Sequence, residues 1–209
     1  MATTEPIIWY VELKGFWDNT PSKWKQTTLK DYINKISKLN MKTSFAEVLK
    51  DDFVRPYFDI DHIEGNYKIK NIIEALKKAF ITYFNFTGND LKVTISKNTS
   101  KESYHIFFDS FNIRIYVRKK DLKDFVKDFS KHYCVEVGKS KKKKGIVDQQ
   151  VYGIKQLFRS INQPKPKSND KIQSINTIHA LIQGEIEDTI IQNFNIYKDI
   201  LLEPIISFD

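Results

Sequence analysis

Two aspartates stand two residues apart in Arg55-Pro56-Tyr57-Phe58-Asp59-Ile60-Asp61. An extended chain there would put Arg55, Tyr57, Asp59 and Asp61 on one face and Phe58 and Ile60 on the other. Strands avoid Asp and adjacent carboxylates repel, so a compensating positive charge is expected. A hard divalent cation, Mg²⁺ or Mn²⁺, is the economical candidate, since such ions take oxygen ligands from one or two carboxylates plus substrate phosphates. The pattern suits nucleases, polymerases and sugar-nucleotide transferases; the plain alternative is a strand end turning into solvent at Asp61-His62. A second group, Lys101-Glu102-Ser103-Tyr104-His105, places ammonium, hydroxyl and imidazole at alternate positions of a strand. Such a row suits a triphosphate, whose oxygens accept several hydrogen bonds at once. A third, Asp148-Gln149-Gln150-Val151-Tyr152 followed by Phe158-Arg159 and Pro164-Lys165, offers an acid and two cations. Asp148 is either charge balance or a third metal ligand. Arg159 and Lys165 either bind phosphate or template, or lie exposed as Arg and Lys usually do. His62, His132 and His179 are read as structural residues.

These groups need elements to hold them. Thr28-Leu29-Lys30-Asp31 opens a helix whose apolar positions are Leu29, Tyr32, Ile33, Ile36 and Leu39. Val54 to Asp61 reads as one strand. Ile69, Ile72, Ile73, Leu76, Ala79, Phe80, Tyr83 and Phe84 mark the buried face of a long helix. Leu91 to Ile95 and Ser103 to Phe108 alternate as strands joined by a turn at Lys97 to Lys101. Leu122, Phe125, Val126 and Phe129 predict a second long helix, and short strands are expected at Ile146 to Tyr152 and Leu157 to Asn162. Trp9, Trp17 and Trp24 read as core anchors of an irregular lead-in. The expected fold is α/β or α+β, a mixed β-sheet core with flanking helices. Residues 1–50 form a helical lead-in packed on the core, 51–171 carry the three groups, and 172–209 belong to the same domain.

The 209 residues suit one domain, and 41% hydrophobic with 13% aromatic residues excludes whole-chain disorder. No apolar run approaches the roughly 20 residues of a membrane-spanning helix, and no basic-then-apolar leader opens the chain. A lone cysteine, Cys134, forms neither an internal disulfide nor a cysteine zinc site. A reducing intracellular location, cytoplasmic or nuclear, and no membrane partner are therefore expected. The formal charge is +8, and Gly138 to Lys171 holds nine Lys and one Arg against two Asp, so the whole excess sits in that stretch. A localised basic segment is the footprint of a surface facing nucleic acid, because neutralising phosphates releases counterions. Lys139, Lys141, Lys142, Lys143 and Lys144, between two glycines, are expected to form a flexible loop on the nucleic-acid backbone, and Arg55 is assigned to the same role. The bland alternative is a solvated lysine loop.

Taken in order, Tyr57-Phe58-Asp59-Ile60-Asp61, Lys101-x-Ser103-x-His105, and Asp148-x-x-Val151-Tyr152 with Phe158-Arg159 and Lys165, the pattern resembles the archaeo-eukaryotic primase superfamily. The nearer likeness is to its primase-polymerase branch and to primase domains at the N-terminus of viral primase-helicases. The resemblance spans roughly Val54 to Lys165. It implies a primase-polymerase fold in which Asp59, Asp61 and Asp148 hold two Mg²⁺ or Mn²⁺ ions. Lys101, Ser103 and His105 would bind the nucleoside triphosphate, with Arg159 and Lys165 also on the incoming nucleotide. The implied partners are a single-stranded DNA template and a primer. A helicase would lie in a further part of a larger replication protein, since no phosphate loop of the G-x-x-x-x-G-K-[ST] type occurs here. Some relatives carry Glu where this chain has Asp61. The family's usual zinc element has no counterpart, so no zinc is expected in this chain. A sugar-nucleotide transferase using Asp59 and Asp61 leaves Lys101, Ser103, His105 and the basic stretch unexplained; a non-catalytic single-strand-binding or replication-initiation module, its acids vestigial, predicts DNA binding without nucleotide turnover.

Overall fold

A computed structural model describes residues 5–13, 23–39, 43–61, 67–87, 91–111, 113–137, 142–153, 156–164, 178–192 and 200–205. The N-terminal elements are β1 (Ile7–Leu13), β2 (Lys25–Thr28), α1 (Leu29–Ile36), β3 (Ser44–Leu49), β4 (Phe53–Val54) and β5 (Tyr57–Ile60). There follow α2 (Ile69–Tyr83), β6 (Leu91–Asn98), β7 (Tyr104–Ser110), β8 (Ile115–Arg118) and α3 (Lys119–His132). The last are β9 (Cys134–Val137), β10 (Lys142–Gly145), β11 (Gln156–Arg159), β12 (His179–Gln183) and β13 (Ile200–Leu202). The protein is thus a mixed α+β fold. In place of one mixed sheet there are two four-stranded antiparallel sheets, β11-β3-β1-β2 and β12-β6-β7-β5, with a three-stranded sheet β13-β8-β4 and a β9-β10 hairpin. Among the described strands only β13 and β8 pair in parallel.

The helices form where the apolar spacing expects them. Thr28 caps α1 by accepting from Asp31 N at 3.2 Å, and the helix ends at Ile36, leaving Leu39 outside it and exposed. On α2, Ile72, Ile73, Leu76 and Phe80 are buried; Asn85, at φ +47°, lies just beyond the C-terminal end. Leu122, Phe125, Val126 and Phe129 bury the inner face of α3. Phe58 on β5 and Phe108 on β7 meet Phe80 of α2, and Phe58 also meets Phe125 of α3, in edge-to-face pairs 5.3–6.4 Å apart. Each such ring contributes about 1.5–3 kcal/mol by leaving water. The helices therefore cover one face of the β12-β6-β7-β5 sheet, and the opposite face carries Asp59.

Several expectations are corrected. The lead-in is mainly strand: β1, β2 and β3 build the first sheet, which β11 completes. Val54 to Asp61 is not one strand, because the chain breaks at Arg55-Pro56 and passes from the β8 sheet to β7. Proline lacks the N–H that a continuous ladder needs; the Pro56 carbonyl accepts instead from Phe108 N at 2.9 Å. Ile146 to Tyr152 contains only an isolated bridge at Val147, followed by a one-turn 3₁₀-helix, Gln149–Tyr152. Asp148 caps this turn by accepting from Gln150 N at 2.9 Å, a role that short acids favour over strand pairing. The lysine run is not wholly a loop: Lys142 to Lys144 lie in β10, paired with β9. Gly145 ends that strand where an added Cβ would come within 2.5 Å of Ser130 Oγ on α3. Trp24 is exposed at the surface and Trp9 is partly open beneath the Lys50 ammonium, 4.0 Å from its ring, so neither is a core anchor. Trp17 lies outside the described residues.

The C-terminal segment is joined to the sheets at several points. β12 pairs with β6. Glu47 of β3, fully buried, accepts from Ile191 N at 3.0 Å and from Gln192 N at 3.1 Å. Burial pushes its carboxyl up to about 7, against those hydrogen bonds. Arg55 is also fully buried: its NH2 lies 3.1 Å from Asp109 Oδ2, an ion pair off the hydrogen-bond direction, and its NH1 donates to Glu187 O at 3.0 Å. This overturns the assignment of Arg55 to nucleic acid, since no phosphate reaches a side chain with no exposed surface.

Candidate functional site

Asp59 of β5 faces His105 of β7, which faces Ser96 of β6 on its other side. Residues opposite one another on adjacent strands share a face, as do residues two positions along, so Asn98 and its partner His179 of β12 join this row. The segment after β10 closes against β5: Asp148 N donates to Asp59 O at 2.8 Å and Asp61 N donates to Ile146 O at 2.9 Å. Tyr57 and Tyr152 lock it there, with Tyr57 OH donating to Val151 O at 2.6 Å and Tyr152 OH to Tyr57 O at 2.8 Å. Asp148 is thereby held beside Asp59. Phe158 of β11 packs on the Tyr57 ring, 5.1 Å between centroids, and on the His105 ring at 4.7 Å. Its neighbour Arg159 donates to Gln163 O at 3.1 Å and lies within electrostatic reach of Asp59 and Asp61.

The charges are tightly coupled. Burial, then Asp61 and Asp148, raise the Asp59 carboxyl to about 7. Burial, then His179, Arg159 and Lys101, hold His105 well below the ordinary imidazole value. His105 Nε2 and Asp59 Oδ1 are 3.8 Å apart, yet a neutral imidazole makes no ion pair at neutral pH. Burial lowers Arg159 to about 10 against the pull of Asp59 and Asp61, so it stays cationic at neutral pH. Lys101 Nζ donates to Asp61 Oδ1 at 2.8 Å from a side chain 58% exposed.

The structure brings Asp59, Asp61, Asp148, Lys101, His105 and Arg159 to one end of the sheet. Lys101 and Ser103 are not on the same strand as His105, because β7 starts at Tyr104. Lys101 reaches in from the preceding turn, and Ser103 is buried at its foot, its carbonyl accepting from Asn98 N at 2.8 Å. Lys143 and Lys144 are exposed on β10, and only the backbone of Lys142 is described. Lys139, Lys141, Lys165 and His62 lie outside the described residues. Spacing alone reads His179 as structural; the fold stacks its ring on His105, 3.6 Å between centroids and 12° between planes. No local pattern links the two, since their meeting depends on β12 adding to β6.

Among the described residues, no group of three His, Cys, Asp or Glu side chains is arranged to hold a metal ion. The donor chemistry still fits a hard divalent cation: burial first, and then the charges of Asp61 and Asp148, raise the Asp59 carboxyl to about 7, and a cation would offset both the lost solvation and the repulsion. No protein-family model matches the sequence, and no curated protein matches it. Among the described residues no helix is long and apolar enough to cross a membrane.

Proposed function

We propose that this chain is the catalytic domain of a DNA primase-polymerase, with a primase-polymerase fold, which transfers nucleotides from nucleoside triphosphates along a single-stranded DNA template. The observation that carries the reading is the meeting of Asp59, Asp61 and Asp148 with Lys101, His105 and Arg159, drawn from four chain segments to one sheet end. Carboxylates and cations gathered at one place suit a reaction in which a hydroxyl attacks a triphosphate. Asp59, Asp61 and Asp148 would hold Mg²⁺ or Mn²⁺. The chemistry those ions supply when bound is activation of the attacking hydroxyl and neutralisation of the triphosphate. Arg159 binds and orients phosphate as a fixed cation. Lys101, exposed and paired with Asp61, transfers its ammonium to phosphate when the carboxylate is otherwise engaged. His105 offers a neutral ring to a phosphate oxygen. Lys143 and Lys144 hold the template backbone, with a helicase or other replication protein as the partner.

The Lys101–Asp61 ion pair favours one second reading, a single-strand-binding replication module in which the ammonium permanently fills the cation's place. Template-directed extension with Mg²⁺ or Mn²⁺ and each nucleotide set separates the two. Incorporation by the wild type, abolished in Asp59→Ala, Asp61→Ala and Asp148→Ala proteins that remain folded, is the expected result. DNA binding without turnover would select the second reading. Near-normal extension by Asp59→Ala/Asp61→Ala would remove the carboxylates from the chemistry.

A further inference from the structure

Three buried polar atoms on the Asp59 face of the sheet have no hydrogen-bond partner: Ser96 Oγ, His105 Nδ1 and His179 Nδ1. They belong to one cluster, since Ser96 faces His105 across β6 and β7, and His179 stacks on His105 and hydrogen-bonds to the Ser96 backbone. Buried donors and acceptors are rarely left unpaired, and where they are, the cause is often a functional group awaiting its ligand or water. His105 is held from two directions: Phe158 packs on its ring at 4.7 Å, and the His179 ring lies parallel to it at 3.6 Å. A contact with the Ser96 backbone helps to hold the His179 ring in turn. His105, not His179, lies opposite Asp59, so His179 acts through its neighbour.

We infer that His179 is a positioning residue of the nucleotide pocket: its ring is the platform that fixes the orientation of the His105 imidazole beside Asp59. The nucleotide part of this inference rests on the nucleotidyl-transfer reading; the ring contact rests on the sheet geometry alone. Removing the platform leaves His105 free to rotate away from the phosphate while the carboxylates keep their places. Nucleotide affinity then weakens more than turnover does.

The test compares wild type, His179→Ala and His179→Phe by two readouts. The first is the NMR signal of the His105 ring, with and without a non-hydrolysable deoxynucleoside triphosphate. The second is steady-state extension. In His179→Ala the ring signal moves, and KM for nucleotide rises about tenfold with kcat changed by less than about threefold, the pattern of a weakened binding interaction. In His179→Phe, which keeps a flat ring, the signal and KM return most of the way to wild type. If His179→Ala does not fold, His179→Leu, which fills the volume without a flat ring, takes its place. An unmoved His105 signal with unchanged KM in a folded variant overturns the inference. So does an equal fall in kcat and kcat/KM with only a lowered melting temperature. A wild type that neither binds the triphosphate nor extends a primer would overturn the nucleotidyl-transfer reading instead, and the His105 signal would still decide the role of His179.

Discussion

Asp59 is the residue whose ionisation most directly reports the site. Its carboxyl, ordinarily near 3.8, is raised to about 7 in the fold, so the folded protein binds this proton more readily than the unfolded chain does. Stability therefore falls as pH rises between those values, and the loss is complete above about 7. At roughly 1.4 kcal/mol per pH unit the full effect has an upper bound of a few kcal/mol. Asp59→Asn, which never ionises, is expected to melt higher than wild type at pH 8, with the difference vanishing by pH 4. Added Mg²⁺ at pH 8 should raise the wild-type melting temperature and leave that of Asp59→Asn unmoved. Melting curves across pH with and without the ion check both, and identical wild-type and Asp59→Asn curves at pH 8 would remove the repulsion from the account. The residue types of this cluster are legible in the sequence, but strand alternation places only Asp59 and His105; Asp61, Lys101 and Asp148 arrive from turns that spacing does not describe. The place of His179 is not legible, and spacing misplaces Arg55, because neither a partner from another strand nor an ion pair with Asp109 leaves a trace in local sequence.

At the scale of elements, the three helices follow apolar periodicity, which burial enforces whatever their neighbours. The strands are harder to read. Pro56 divides a run that alternates cleanly on paper, and the side chain of Asp148 diverts another into a 3₁₀ turn. The basic hairpin shows the same dependence on context, since Lys143 lies opposite Glu136 in a ladder where composition suggests a loop. The template contact proposed for it is electrostatic. Replacing Lys143 and Lys144 by Ala should flatten the slope of log DNA affinity against log salt by up to about 1.4, at roughly 0.7 for each single-strand phosphate that is no longer neutralised. A salt series on both proteins measures it, and parallel lines would mean that β10 does not meet DNA.

The whole molecule does not divide where the three sequence groups end. β12 supplies His179 to the site, Gln192 and Ile191 satisfy the buried Glu47, and Glu187 receives Arg55. A chain ending at residue 171 would leave a carboxylate and a guanidinium buried with partners missing. Arg55 keeps its ion pair with Asp109, but each lost hydrogen bond to a buried charged group costs about 1.5–3 kcal/mol, and several lost together approach the total stability of many domains. This truncation is expected to give no cooperative urea transition; a two-state transition near that of the full chain would show that the C-terminal segment is dispensable. β11 belongs by its hydrogen bonds to the sheet of β3, yet it carries Arg159 to carboxylates held by the other sheet. The site thus works as a caliper for Arg159, which sits on one sheet while the Asp59 carboxylate it faces sits on the other. Substitutions that tilt β1 or β3, distant from Asp59 itself, would therefore change the separation of Arg159 from the carboxylates, and under the proposed nucleotidyl-transfer reading would change nucleotide affinity.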